Sequence, residues 1–187
     1  MKKQHIKQRN IYIFLITLSL IGLISGALYY EFQPNTIKTD ITNKLNIQEE
    51  LNNRVNNLPK SIKESSSILL NSVLIIPSII NIFNIFYNPF KIGFLYNVLK
   101  TYSLKLSIIY ILIYQIIPYL FQLILTKISI TLIYSIIKKL IYYKKESFNR
   151  IILLLKKYFI ISIFLFIYEI LIIIISKNIN SYLMTFL

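Results

Sequence analysis

Hydrophobic residues in this chain form long unbroken runs, and polar residues gather in the stretches between them. The runs 11–30, Ile68 to Asn88 and Leu106 to Thr126 each contain no charged side chain. Each run is about as long as the ~20 residues that a helix needs to cross the hydrocarbon core of a bilayer. The pattern therefore predicts helices solvated by lipid rather than the core of a water-soluble domain.

The complete pattern predicts an all-α fold: a polytopic integral membrane helical bundle of about five membrane helices, some broken or re-entrant, with one extracytoplasmic polar segment. We expect it in the inner membrane of a bacterial cell. In chain order, the prediction gives a basic cytoplasmic tail (1–10), a first membrane helix (11–30), an extracytoplasmic segment (31–66), a central membrane block with broken helices (67–137), a basic cytoplasmic loop (138–157), a last membrane helix (158–176) and an extracytoplasmic tail (177–187).

The positions of the basic residues predict the orientation, because lysine and arginine gather on the cytoplasmic side of a membrane. Four basic residues and no acidic residue precede the first run, and the stretch 138–157 holds seven basic residues against the single Glu146. We therefore expect the N-terminus, Lys91 and this stretch in the cytoplasm, and the C-terminus outside. We assign the net charge of +14 to topology rather than to a nucleic-acid surface.

Composition agrees with a membrane protein and argues against several kinds of catalytic site. Hydrophobic residues make up 56% of the chain and the mean hydropathy is +0.62, whereas ordinary soluble domains are roughly 45–50% apolar. The chain has no cysteine, and its one histidine, His5, lies in the basic tail. A Ser-His-Asp triad and a Cys- or multi-His-ligated metal site are therefore not expected. We predict no cofactor and no enzymatic activity.

Three small residues share one face of the first predicted helix. Ser19, Gly22 and Gly26 follow helical spacing, and the two glycines form a small-xxx-small pair. Small side chains let helix backbones approach closely, which matters in lipid because burying apolar side chains there gains little. We expect this face to pack against a later helix of the same chain, and a partner's transmembrane helix is the alternative. The run is longer than a signal-peptide core, so we expect an uncleaved anchor.

The segment 31–66 carries five basic and five acidic residues. A segment balanced in this way is readily translocated across a membrane. Asp40 is placed to cap a helix that carries apolar residues on one side and ends at Pro59. That side is suited to the outer leaflet or to a partner protein, and a loosely ordered surface helix is the alternative.

Prolines and asparagines interrupt the central block. Pro77 is expected to kink its helix. Three asparagines are expected to bond to other helices rather than to bind a substrate; they are Asn71, Asn81 and Asn84. The stretch from Asn88 to Lys91 is expected to break the chain.

The number of crossings between 92 and 137 is left open. Lys100 and Lys105 interrupt the apolar run, and a lysine at the bilayer centre costs about 2.5–3.5 kcal/mol on insertion scales. Both side chains should therefore reach an interface or a protein interior. Two broken helices that cross and return are slightly favoured over a re-entrant hairpin that turns near Gln115 and Pro118.

Glu169 is the only acidic residue within a predicted span. An isolated carboxylate there would take up a proton or move to the interface, whereas Lys100, Lys105 or Lys127 can pair with it. An interfacial or structural role is favoured, and a proton or ion relay is the alternative.

These features together resemble the stage II sporulation protein M family of bacterial integral membrane proteins. The resemblance runs loosely over almost the whole chain. It rests on the basic tail, the first helix YIFLITLSLIGLISGAL, the outer polar segment, the turn Phe90-Lys91-Ile92-Gly93-Phe94, Pro118 and a last helix beginning KKYFIISIFLF. It implies a non-enzymatic scaffold that holds peptidoglycan-degrading partners at the septal membrane during engulfment of the forespore.

Under this hypothesis the candidate functional residues at membrane depth are Lys91, Gly93, Gln115, Pro118 and Glu169. The expected partners are the lipid bilayer and other membrane proteins, above all cell-wall hydrolases of the engulfment machinery, and not nucleic acid. Self-association is left open. The alternative function is a subunit of a membrane transporter or permease, for which broken helices near membrane-embedded charges are typical. An intramembrane hydrolase is disfavoured because no histidine is available as a base.

Overall fold

The computed structural model describes residues 2–44, 67–68, 75–142 and 146–184. Within these ranges the chain is helical apart from short turns at 32–34 and 101–103, and it contains no strand. The helices are α1 (Lys2–Glu31), α2 (Asn35–Lys44), α3 (Ile75–Lys100), α4 (Leu104–Ile111), a π-helical segment (Leu112–Ile116), α5 (Ile117–Tyr142) and α6 (Glu146–Met184). The predicted all-α class is confirmed for the described residues.

Three helical stretches in the described chain are long and apolar enough to cross a membrane. They are Asn10–Glu31, Leu104–Ile137 and Phe148–Ile175. The first confirms the helix predicted over 11–30, and the third contains most of the predicted last span. By this measure the described chain has three spans, fewer than the five or so predicted, and α3, with its several asparagines and Lys91, is not among them.

α1 and α3 lie side by side and run in the same direction. Gly22 lies against the backbone of Phe86, and Gly26 lies against the backbone of Phe90, so residue numbers rise together along the two helices. This is the most extensive contact between helices in the described chain.

α4, the π segment and α5 form one continuous run that returns antiparallel to α1. Ser19 contacts Tyr119, whereas Tyr12, nearer the N-terminus, has its ring centroid 4.4 Å from Nζ of Lys127. Buried residues of α1, α3, α4 and α5 form one hydrophobic cluster around Leu15.

α6 runs antiparallel to α5. Phe121, near the beginning of α5, packs against Tyr168, and Leu132, further along α5, shares a second buried cluster with Leu154. α1, α3 and α6 therefore point one way, and the run from α4 to α5 points the other way.

The predicted chain break at 88–91 is wrong, because α3 continues without interruption to Lys100 and contains Pro89 in its interior. A proline removes only one helical hydrogen bond, and here another helix supplies the missing donor, as described below. Pro77 is the third residue of α3 as described, so the segment that precedes the predicted kink lies outside the described residues.

The re-entrant hairpin near Gln115 and Pro118, which was the less favoured alternative, is not formed, because the chain stays helical from Leu104 to Tyr142. The chain reverses direction instead at 101–103, where Lys100 and Lys105 flank the turn. Both lysine side chains are exposed, as expected for an interface.

Lys91, which is predicted to share a membrane side with the N-terminus, lies well away from the N-terminal end of α1. Because α3 is parallel to α1, Lys91 lies towards the end of the bundle that holds Glu31. The basic stretch 138–157 is also not a simple loop, since α5 extends to Tyr142 and α6 begins at Glu146.

Asp40 lies inside α2 rather than at its N-terminus, because α2 begins at Asn35. Most of the helix predicted to follow Asp40 falls in 45–66, outside the described residues, as does Asn71.

The chain has no cysteine, so single-cysteine labelling can test the direction of α3. We expect a membrane-impermeant maleimide to label Lys38→Cys and Lys100→Cys from one side of the membrane and Lys7→Cys from the other, each several-fold above background. Labelling of Lys100→Cys and Lys7→Cys from the same side would contradict the parallel arrangement of α1 and α3.

Candidate functional site

Glycines make the close contact between α1 and α3. A Cβ added to Gly26 would overlap the carbonyl oxygen of Phe90, and one added to Gly93 would overlap that of Leu23. Gly22 is obstructed in the same way. The obstructing atoms belong to the backbone, which cannot move aside as a side chain can. The small-residue face of α1 thus lies against α3 of the same chain.

A tyrosine from α5 completes the hydrogen bonding of α3 at Pro89. Proline has no N–H, so the carbonyl of Ile85, four residues earlier, loses its usual helical donor. The hydroxyl of Tyr119 donates to this carbonyl oxygen over 3.2 Å, and both residues are buried. Because a buried carbonyl left without a donor costs about 1–3 kcal/mol, this bond stabilises α3 and also joins it to α5.

Ser19 adds α1 to the same joint. Its hydroxyl contacts the hydroxyl of Tyr119 and lies 2.6 Å from the carbonyl oxygen of Leu15. The two hydroxyls have only two protons for three short contacts. Leu15 lies in an ordinary helical turn with a backbone donor, whereas Ile85 has none. Tyr119 therefore donates to Ile85, and the hydroxyl of Ser19, within reach of both Leu15 and Tyr119, brings α1 to the same phenol.

A second joint, between the π segment and α6, uses the same chemistry. The N–H of Ile117 donates to the carbonyl of Leu112. In this register the next residue, Pro118, would donate to Ile113, but it has no N–H. The hydroxyl of Tyr168 on α6 donates to the carbonyl oxygen of Ile113 over 2.7 Å. At both joints a tyrosine from another helix bonds to the carbonyl that a proline has freed.

Amide side chains make further bonds within the bundle. Asn81 is buried, donates to the carbonyl of Ile68 over 3.1 Å and lies 3.4 Å from the hydroxyl of Ser129. This contact confirms the bond between helices predicted for Asn81. Asn88 donates to the side-chain oxygen of Gln122 over 2.8 Å. Much of the polar surface of α3 is therefore turned towards other helices.

An open cavity of about 690 Å³ lies at the end of the bundle that holds Glu31. The lining brings together one carboxylate, two lysines, two tyrosines, one amide and three threonines. The residues with charged, aromatic or amide groups are Tyr30, Glu31, Lys38, Asn97, Lys100 and Tyr102.

Two hydrogen bonds hold α2 against the bundle beside this cavity. Lys38 on α2 donates to the backbone carbonyl of Glu31 over 2.7 Å, and its Nζ lies 5.7 Å from the ring centroid of Tyr30. Tyr102, in the turn after α3, donates to the carbonyl of Thr42 over 2.7 Å. The polar segment after α1 therefore begins with a helix in a fixed position at the end of the bundle.

The candidate residues predicted from sequence lie on several different helices. Lys91 is exposed on α3, with Nζ 4.4 Å from the ring centroid of Tyr87. Gln115 is half-buried in the π segment. Glu169 is half-buried on α6, directly after the residue that forms the second joint. Gly93 and Pro118 belong to the glycine contact and to the second joint described above.

Sequence reasoning missed the tyrosines at the two joints and the residues that hold α2. The chain has fifteen tyrosines, so composition alone does not single out Tyr119 or Tyr168. The usable signal was the prolines: each proline inside a membrane helix frees a carbonyl that requires a donor from elsewhere.

Within the described residues, no group of three or more His, Cys, Asp or Glu side chains is placed to hold a metal ion. Comparison of the chain with family models, with curated proteins and with solved structures gives no match. The groups described above can join helices inside the bundle and bind a charged partner at its Glu31 end.

Proposed function

We propose that this protein is a non-enzymatic membrane scaffold that holds partner proteins at the surface of a cell membrane. The observation that carries the proposal is the fixed position of α2. This helix is polar, and Lys38 and Tyr102 bond it to the end of a helical bundle. A helix held in this way presents its outer face at a constant height and angle to a partner.

In this proposal α3 crosses the bilayer together with the three apolar spans. Its asparagines support this assignment, because Asn81, Asn88 and Asn97 all bond to other parts of the chain rather than facing lipid. Because α1 and α3 are parallel, both cross in the same direction. With the basic N-terminus in the cytoplasm, α2 faces the outside.

The two tyrosine joints favour a scaffold over a transporter subunit. Alternating access requires one group of helices to move against another, usually around unwound backbone. Here the carbonyls freed by Pro89 and Pro118 are each bonded to a different helix, and α1 meets α3 backbone to backbone at Gly26. These contacts favour one arrangement of the bundle.

The partner class comes from the resemblance to the stage II sporulation protein M family. It suggests peptidoglycan-degrading enzymes acting outside the membrane in which the protein lies. Exposed polar residues of α2, such as Asn35 and Asp40, would be the contact points for them.

Site-specific photo-crosslinking in cells tests this proposal. A benzophenone amino acid at Asp40 is expected to form adducts with a peptidoglycan-remodelling enzyme at several times the yield found at Ile163. Ile163 is the matched control, because it is exposed on an apolar span of α6 and should react with lipid. The scaffold proposal loses its support if position 40 yields no more protein adducts than position 163.

A further inference from the structure

The cavity beside α2 lies at the depth of lipid headgroups. The apolar span of α1 ends at Glu31, and Tyr12, near its other end, contacts Lys127. At about 1.5 Å per residue, Tyr12 and Glu31 are about 28 Å apart, close to the ~30 Å of a hydrocarbon core. Tyrosine and lysine side chains gather at the two interfaces. If Tyr12 and Lys127 mark one interface, Glu31 and the cavity lie at the other.

The cavity combines charges of both signs. Lys38 and Lys100 contribute ammonium groups, and Glu31 contributes a carboxylate. Lys38 uses one of its three N–H donors on the backbone carbonyl of Glu31, which leaves two for a ligand. Within the described part of the chain, neither the carboxylate of Glu31 nor the ammonium of Lys100 forms an ion pair or a hydrogen bond.

Most of the uncharged polar groups of the cavity are already bonded to the protein. Asn97 donates to the carbonyl of Ala27 over 2.9 Å, and Tyr102 donates to that of Thr42. The hydroxyl of Thr101, in the turn after α3, donates to the carbonyl of Val98. The groups left for a ligand are therefore mainly the two ammoniums and the carboxylate.

We propose that this cavity binds the headgroup of a zwitterionic phospholipid that carries a phosphodiester and a primary ammonium, as phosphatidylethanolamine does. The phosphodiester lies between Lys38 and Lys100, and the ammonium donates to the carboxylate of Glu31. A purely anionic headgroup would leave Glu31 beside a second anion, and a quaternary ammonium has no N–H to donate. The volume of about 690 Å³ is adequate for such a group. The proposal does not depend on the scaffold function.

Native mass spectrometry of the full chain released from nanodiscs tests this site. The nanodiscs hold equal amounts of phosphatidylethanolamine and phosphatidylglycerol. We expect the wild type to retain phosphatidylethanolamine in preference, and K38Q/K100Q to reduce its retention at least fivefold. K91Q is the matched control, because Lys91 is an exposed lysine of the same end of the bundle that does not line the cavity.

A second variant keeps the test independent of any effect of the double substitution on folding. E31Q retains both lysines and removes only the partner of the ammonium, so we expect the retained lipid to shift at least threefold towards phosphatidylglycerol. Equal lipid retention by K38Q/K100Q and K91Q, or an unchanged lipid ratio in E31Q, would overturn the proposal. So would displacement of the lipid by millimolar free phosphoethanolamine, which would indicate a soluble ligand. None of these readouts depends on the capture of a partner protein.

Discussion

Replacing Gly26 with valine is expected to lower the free energy of unfolding by about 3 kcal/mol, at the upper end of the range for overpacking. The added side chain would meet the backbone of Phe90, and α1 and α3 would have to separate along their most extensive contact. Reversible unfolding in mixed detergent micelles, followed by circular dichroism, measures the change.

Whether Gly26→Ala raises or lowers the stability of the protein shows whether this face of α1 is closely packed or open. Alanine favours a helix over glycine by about 1 kcal/mol, so this substitution stabilises a helix whose face is free. Here even a Cβ overlaps backbone atoms, and we expect a net loss of stability. Ile24→Phe adds volume on the exposed side of α1 and should leave stability unchanged. Stabilisation by Gly26→Ala would contradict the contact.

Removing the hydroxyl of Tyr119 is expected to have the second largest effect. Tyr119→Phe leaves the carbonyl of Ile85 without its donor, whereas the hydroxyl of Ser19 keeps its bond to the carbonyl of Leu15, and we expect a loss of about 1–2 kcal/mol. Tyr87→Phe removes a hydroxyl from an exposed tyrosine of α3 and should change stability by less than about 0.5 kcal/mol.

A double-mutant cycle identifies the cause of that loss. Pro89→Ala restores an N–H to α3, which can then donate to Ile85. In the Pro89→Ala background, the loss caused by Tyr119→Phe should therefore fall by about 1 kcal/mol. An equal loss in both backgrounds would show that the hydroxyl does not compensate for the proline.

The features predicted well from the sequence are those that a bilayer imposes locally. The helix over 11–30 and the helix containing the last span follow from apolar length alone, and Asn81 was assigned to a bond between helices because an amide at membrane depth needs a partner. The small-residue face around Gly22 was visible from spacing.

The features that were missed depend on contacts between distant parts of the chain. From the local sequence alone, Asn88 to Lys91 and Pro118 were interpreted as breaks in the helices. Whether a proline ends a helix depends, however, on whether another helix supplies a hydrogen-bond donor for the freed carbonyl. The parallel direction of α3 and α1 was also missed. The distribution of basic residues was used to assign Lys91 to a membrane side, but it holds no information on which helix packs beside α3. The cavity beside α2 joins Lys38 and Lys100, which are far apart in sequence.

The three apolar spans differ in length, and this difference affects the surrounding lipid. At about 1.5 Å per residue, the 22 residues of Asn10–Glu31 cover about 33 Å, the 28 of Phe148–Ile175 about 42 Å and the 34 of Leu104–Ile137 about 51 Å. A bilayer whose hydrocarbon thickness matches α1 is too thin for the pair formed by α5 and α6. These two helices must tilt, extend beyond the hydrocarbon core or stretch the lipid beside them. Elastic strain is then concentrated on one flank of the protein. A thicker or curved membrane relieves that strain, so the unequal lengths of the three spans alone favour the location of this protein in such a membrane.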